Sequence, residues 1–211
     1  MTLERYVEVG KKRLRCGYTT GTCAAAAAQA CGQALLAGNF PHSLRIDTPA
    51  GIAVVVEPEE MHRGTDAQGT PWASCGVRKD AGDDADATDG ALVVVRVSLV
   101  NTPGTTIEGG AGVGRVTRAG LDQPVGAAAI NSVPRAMIAS ELERIAREHG
   151  WQGGFAVEVS VPGGEEIARK TFNPRLGIEG GISILGTSGI VRPMSEEALV
   201  ESIRLEMRMR R

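Results

Sequence analysis

The sequence predicts an α+β fold, and three observations carry that prediction. Short apolar runs pair up around Pro-Gly turns, a few strong helical segments lie between them, and no internal repeat, heptad or low-complexity tail is present. With 211 residues and a hydrophobic fraction of 42%, the chain can furnish a substantial core. Residues 1–175 read as a sheet-and-helix domain built largely of hairpins. Residues 176–211 read as the first strand-helix unit of an α/β domain that is truncated.

The elements follow in chain order. The opening fifteen residues are charged and have no signal-peptide core. An alanine-rich helix is expected over 22–37, with Thr20 or Thr22 capping its free amides and Gly38 suited to the left-handed position past its end. Residues 44–47 and 52–56 form a hairpin pattern around Thr48-Pro49-Ala50-Gly51, and 57–71 is polar and turn-rich. Residues 72–77 and 92–100 read as strands, with an acidic loop between them. The glycines at 109, 110, 112 and 114 mark either a bulged strand or a loop where something approaches the main chain. A helix is expected over 134–149, with Pro134 in its first turn and Asn131 or Ser132 near the cap. A second hairpin is expected over 155–161 and 167–172 around Pro162-Gly163-Gly164. The chain closes on an apolar run at 181–186, the turn Thr187-Ser188-Gly189 and a helix from Ser195, with Glu196 and Glu197 in its first turn and Arg204 and Arg208 near its end.

Composition narrows the function. Aromatics make up 3% and the formal net charge is -2, so neither a base-stacking platform nor the basic field of a nucleic-acid binder is supplied. No run is long and apolar enough to predict a membrane span, and the expected location is the cytoplasm. Cys16, Cys23, Cys31 and Cys75 contain no C-x-x-C pair and read as buried free thiols. His42, His62 and His149 lie too far apart in sequence to suggest a zinc site, and no metal site is expected.

Several constellations can carry chemistry. Thr19, Thr20, Gly21 and Thr22 place hydroxyls and free amides at a helix start. That pattern fits a cradle for a carboxylate or phosphate as well as it fits a tightly packed helix with an ordinary cap. Residues 80–86 crowd four carboxylates, usually a solvated turn; crowding raises proton affinity, which makes Asp80, Asp83 or Asp84 a candidate proton acceptor. Lys79, Arg115, Arg118 and Arg135 can grip anions. The glycine run at 109–114 lacks the third fingerprint glycine of a dinucleotide turn and is flanked by strand-like residues.

Five motifs taken together resemble one family. GYTTGTCAAAAA at 17–28, KDAGDDAD at 79–86, GAGVGRVTRAGL at 110–121, AINSVPRAMI at 129–138 and KTFNPRLGIEGGISILGTSGIVRPMSEEAL at 170–199 are similar to the cobalt-precorrin-5B (C(1))-methyltransferase family of anaerobic cobalamin biosynthesis, the CbiD type. Ser132 stands where the family more often carries Pro. The family also continues well past residue 211 into further α/β sequence. The resemblance implies methyl transfer from S-adenosylmethionine to C-1 of a cobalt-bearing tetrapyrrole polycarboxylate, with the cobalt carried by the substrate. The resemblance carries over no catalytic residue; on physical grounds Thr19, Thr20, Gly21, Thr22, Lys79, Arg115 and Arg135 are expected toward the substrate, and Asp80, Asp83 or Asp84 toward proton handling. Gly186, Thr187, Ser188 and Gly189 fall toward the adenosyl cofactor. A missing second domain, a homo-oligomer, or a non-catalytic corrinoid-binding fragment that needs a partner are the assemblies consistent with such a chain.

Overall fold

The computed structural model describes residues 3–195 together with Val200, Arg204 and Met207, which are helical and exposed. Glu196, Glu197 and Arg208, expected in the closing helix, lie outside the described residues. The strands before the first helix are β1 (Tyr6–Val9), β2 (Lys12–Arg15) and β3 (Gly17–Tyr18), and the helix α1 spans Thr20–Leu36. Then come β4 (Leu44–Asp47), β5 (Ala53–Val56), β6 (Glu59–Thr65), β7 (Pro71–Arg78), β8 (Leu92–Val100), β9 (Gly104–Gly109), β10 (Gly112–Val113) and β11 (Arg115–Val116). The second half holds α2 (Ser132–His149), β12 (Gly154–Ser160), α3 (Gly164–Ala168), a 3-10 turn at Asn173–Leu176, β13 (Ile178–Glu179), β14 (Gly181–Ile182) and β15 (Ile190–Val191).

The body is a five-stranded sheet in the order β6-β7-β8-β12-β9, antiparallel except where β12 runs parallel to β9. α1 lies on β7 and β8 and crosses α2. It is apolar all round because it is buried all round, and its alanines let both neighbours come close. Cys31 on α1 and Cys75 on β7 meet at 3.6 Å between their sulfurs, and all four cysteines are free and buried. Burial pushes the Cys23 thiol up to about 12, so that residue behaves as a small apolar side chain. α2 is amphipathic: Ile138, Leu142 and Ile145 face the core, and Arg144 bridges Glu141 and Glu148 outside.

Three expectations are corrected. The polar stretch 57–71 contains β6, an edge strand exposed along nearly its whole length, which is why it shows no apolar alternation. The hairpin at 155–172 does not form: β8 and β9 occupy both edges of β12, so no edge remains, and α3 begins instead after a left-handed Gly163. The apolar run at 181–186 pairs only briefly, through β14 to β10 and by an Ile130–Ile184 bridge, and β15 follows the turn, pairing with β3. What approaches the main chain at the glycine run is the protein itself: a side chain at Gly112 would strike the Val161 carbonyl and one at Gly114 would strike the Ile178 side chain.

The α1–α2 crossing turns on Gly32, where a Cβ would sit 2.8 Å from Leu142 Cδ2 and 3.2 Å from Ile145 Cδ1. Gly32→Leu is expected to destabilise by about 1–3 kcal/mol through overpacking. The check is a lower urea midpoint with an unchanged slope.

Candidate functional site

α1 begins at Thr20 because Thr19 is extended (φ -80, ψ 164) and its Oγ1 accepts the Thr22 N–H at 3.2 Å. Thr19, rather than Thr20 or Thr22, is therefore the cap. The other two hydroxyls reach across the chain. Thr22 Oγ1 donates to the Gly189 carbonyl at 2.7 Å. Thr20 Oγ1 lies 3.3 Å from the Ser183 and Leu185 carbonyls and accepts the Leu185 N–H at 3.0 Å. Backbone bonds complete the joint: Thr19 N–H donates to Gly189 O at 3.1 Å and Gly21 N–H to Leu185 O at 3.0 Å. Thr19, Thr20, Gly21 and Thr22 are all buried. Of the two readings open from sequence, the geometry matches the tightly packed helix, with the protein's own carbonyls at the helix start.

The turn at residues 185–189 needs its glycines. Gly186 has φ 135 and Gly189 φ 78, and a side chain at Gly186 would run into Thr19 Oγ1. Asn173 braces the run from the far side, donating from Nδ2 to Gly181 O at 3.3 Å and accepting from Ser183 Oγ at 3.3 Å. Sequence reasoning missed Asn173 and Ser183; the Asn-Pro pair at 173–174 was the available signal. Leu185 and Thr187 are exposed, and among the described residues the Gly186 and Thr187 carbonyls accept no hydrogen bond.

The acidic loop works as a clasp. Arg15 grips Asp80 with both nitrogens at 2.6 and 2.7 Å, while its backbone N–H donates to Asp83 Oδ2 at 2.6 Å. Asp84 Oδ1 accepts the Met194 N–H at 3.1 Å, holding that residue at φ 54. Lys79, 3% exposed, reaches Asp86 at 2.7 Å. The mutual rise in proton affinity expected from crowding does not occur at Asp80, whose carboxyl the Arg15 hydrogen bond holds below its ordinary range. Burial pushes Asp86 upward, yet the Lys79 ammonium and the Thr88 hydrogen bonds together outweigh it and leave it lowered. Asp83 is exposed, with Oδ1 free of partners among the described residues.

Thr19, Thr20, Gly21, Thr22, Asp80, Asp83, Asp84 and the Gly186–Gly189 turn are thus linked around one end of α1. Arg115 and Arg135 belong elsewhere. Arg135 is half-buried and spends its donors on the Ile130 and Ile107 carbonyls, each at 2.8 Å, while Arg115 is exposed on β11 and reaches Gly126 O at 3.1 Å. No group of three or more His, Cys, Asp or Glu among the described residues is placed to hold a metal ion. No helix among them is long and apolar enough to cross a membrane.

The profile of the CbiD family matches residues 7–193. The chain belongs to the CbiD family. It is similar to a protein of Ruminiclostridium cellulolyticum named cobalt-precorrin-5B C(1)-methyltransferase, 48% identical over 99% of this chain and 53% of that one. A Burkholderia cenocepacia protein of the same name is 52% identical over 90% of this chain and 51% of its own length. The crystal structure of a cobalamin biosynthesis protein (cbiD) from Archaeoglobus fulgidus superposes with a TM-score of 0.65 at 34% identity, covering 96% of this chain and 63% of that one. The chain spans about half the length of the curated relatives it matches.

Two measurements check this geometry. Thr19→Ala removes the cap and is expected to cost about 1–2 kcal/mol, read as a lower melting temperature. For Asp80 the folded carboxyl titrates below its unfolded value of about 3.9, so its contribution is present above that pH and is lost as pH falls through the folded value. Asp80→Asn is expected to lower stability at neutral pH by about 1–2 kcal/mol and to flatten the acid limb of a stability–pH curve below about pH 4.

Proposed function

We propose that this chain takes part in transferring a methyl group from S-adenosylmethionine to C-1 of cobalt-precorrin-5B during cobalamin biosynthesis in the cytoplasm. The observation that carries this reading is near-half identity, across almost the whole chain, to relatives named for that reaction. S-adenosylmethionine supplies an electrophilic methyl on a sulfonium: the ring carbon attacks in line, the new C–C bond forms as the S–CH3 bond breaks, and the electron pair stays on sulfur.

Such a transfer asks the protein for alignment, exclusion of water and a proton acceptor, and it demands no nucleophilic side chain. The carbonyls of Gly186 and Thr187, which accept no hydrogen bond among the described residues, would hold the positive sulfur, with the exposed Leu185 beside them. Ser188 and Gly189 complete the turn, and Thr19, Thr20, Gly21 and Thr22 hold it in shape. Asp83 takes up the proton, because its Oδ1 is free where Asp80 is committed to Arg15 and Asp84 to Met194. Lys79 and Arg135 act by positioning, and Arg115 remains available to the substrate's carboxylates. The cobalt travels with the substrate.

The half-length match favours a second reading, in which the chain binds the corrinoid and needs a partner for transfer. Incubation with cobalt-precorrin-5B and methyl-labelled S-adenosylmethionine tests the first. The expected result is label in the macrocycle, with the rate lowered about a hundredfold by Asp83→Asn. Macrocycle binding without label transfer supports the second reading, and an unchanged rate in Asp83→Asn removes Asp83 as the proton acceptor.

A further inference from the structure

Arg15, Arg45, Arg78, Arg144 and Arg169 each face a carboxylate. Arg115, Arg118 and Arg175 are exposed and have no acidic partner within ion-pair distance among the described residues. These three sit on adjoining stretches of one small ladder. β11 carries Arg115 and continues through Thr117 to Arg118, while the 3-10 turn that carries Arg175 passes through Gly177 into β13. Thr117 donates to the Gly177 carbonyl from its N–H at 2.7 Å and from Oγ1 at 2.9 Å, so the two stretches stay joined beyond the last ladder pair. Val116, Ile178 and Ala129 pack beneath and make the base rigid.

The side chains are set by that backbone. The Arg118 stem lies across Gly177, where a Cβ would come 2.6 Å from Cγ and 2.7 Å from Cδ; glycine is what lets the arginine lie flat. The Arg175 guanidinium stands 5.8 Å from the centroid of the Phe172 ring, which is 56% exposed. Glu179 lies opposite Arg115 in the ladder, with its Oε1 3.4 Å from Thr117 Oγ1 and no ion pair to Arg115. Exposed guanidiniums that make no ion pair, carried on adjoining stretches of one ladder, keep their donors open to an external polyanion. Planar forks suit carboxylates, and an exposed ring beside them suits a flat conjugated face.

We propose that Arg115, Arg118 and Arg175, with the exposed ring of Phe172, form a binding surface for the carboxylate arms of a flat macrocyclic polycarboxylate. This rests on the reading that the chain acts on a tetrapyrrole. It replaces Lys79 and Arg135, which face inward, with Arg118 and Arg175, which face solvent.

The test titrates the full chain with uroporphyrin, an octacarboxylate porphyrin, following its absorption band at increasing salt. The chain is expected to bind with salt-dependent affinity. An Arg118→Gln/Arg175→Gln double variant weakens binding about tenfold or more and flattens the salt dependence. Phe172→Ala weakens binding while leaving the salt dependence in place. Arg147→Gln, at the far end of α2, changes nothing. Equal affinity in the double variant, or an equal loss in Arg147→Gln, overturns the surface alone. No binding of uroporphyrin by the unmodified chain overturns the surface and the tetrapyrrole reading together.

Discussion

A helix buried around its whole circumference cannot hand its first amides to water, so every donor at the start of α1 must find its acceptor inside the protein. That constraint organises much of the chain. Thr19 turns back to cap Thr22, and the carbonyls of Leu185 and Gly189 arrive from the other end of the sequence to take the amides of Gly21 and Thr19. Because those carbonyls must approach so closely, glycine is required at 186 and 189, and β15 is drawn into register beside β3. A local rule of helix chemistry thus becomes a long-range joint between residues 17–22 and 183–191.

The acidic loop secures the same region by charge. Arg15, just before the joint, is held by Asp80 and Asp83, and Met194, just after it, is held by Asp84. Asp80 and Asp86 are held below the ordinary carboxylate range by Arg15 and Lys79 with their hydrogen bonds, so crowding in this loop produces order at those two residues. Among the described residues the carbonyls of Gly186 and Thr187, beside Leu185, take no part in the joint or the clasp. The proposed cofactor contact falls there.

Much of this was legible in the sequence and some could not be. α1, α2, the β4–β5 hairpin and β8 announced themselves because propensity, period and end signals agree within each segment. β6 was hidden because an edge strand exposed along its length carries no apolar alternation. The false hairpin after β12 looked plausible locally and failed for a non-local reason, since both edges of β12 were taken. At the site, the threonines before α1 and the glycines at 186 and 189 were visible as unusual, but that each group exists for the other is a contact across the chain. Arg135 and Lys79 read as cations open to an anionic substrate, although one is tied to two carbonyls and the other is buried beside Asp86. Arg175 gave no signal until the 3-10 turn placed it just before Gly177, which the Arg118 stem crosses.

The most direct test of this account is native-state amide exchange read at Thr19, Gly21 and Leu185 against the interior of α1. If the joint is an integral part of the helix, those three amides open with the same free energy as the amides of Ala26 to Ala30. If they exchange faster by orders of magnitude while the interior of α1 stays protected, the start of the helix does not depend on the 183–189 segment and the account fails.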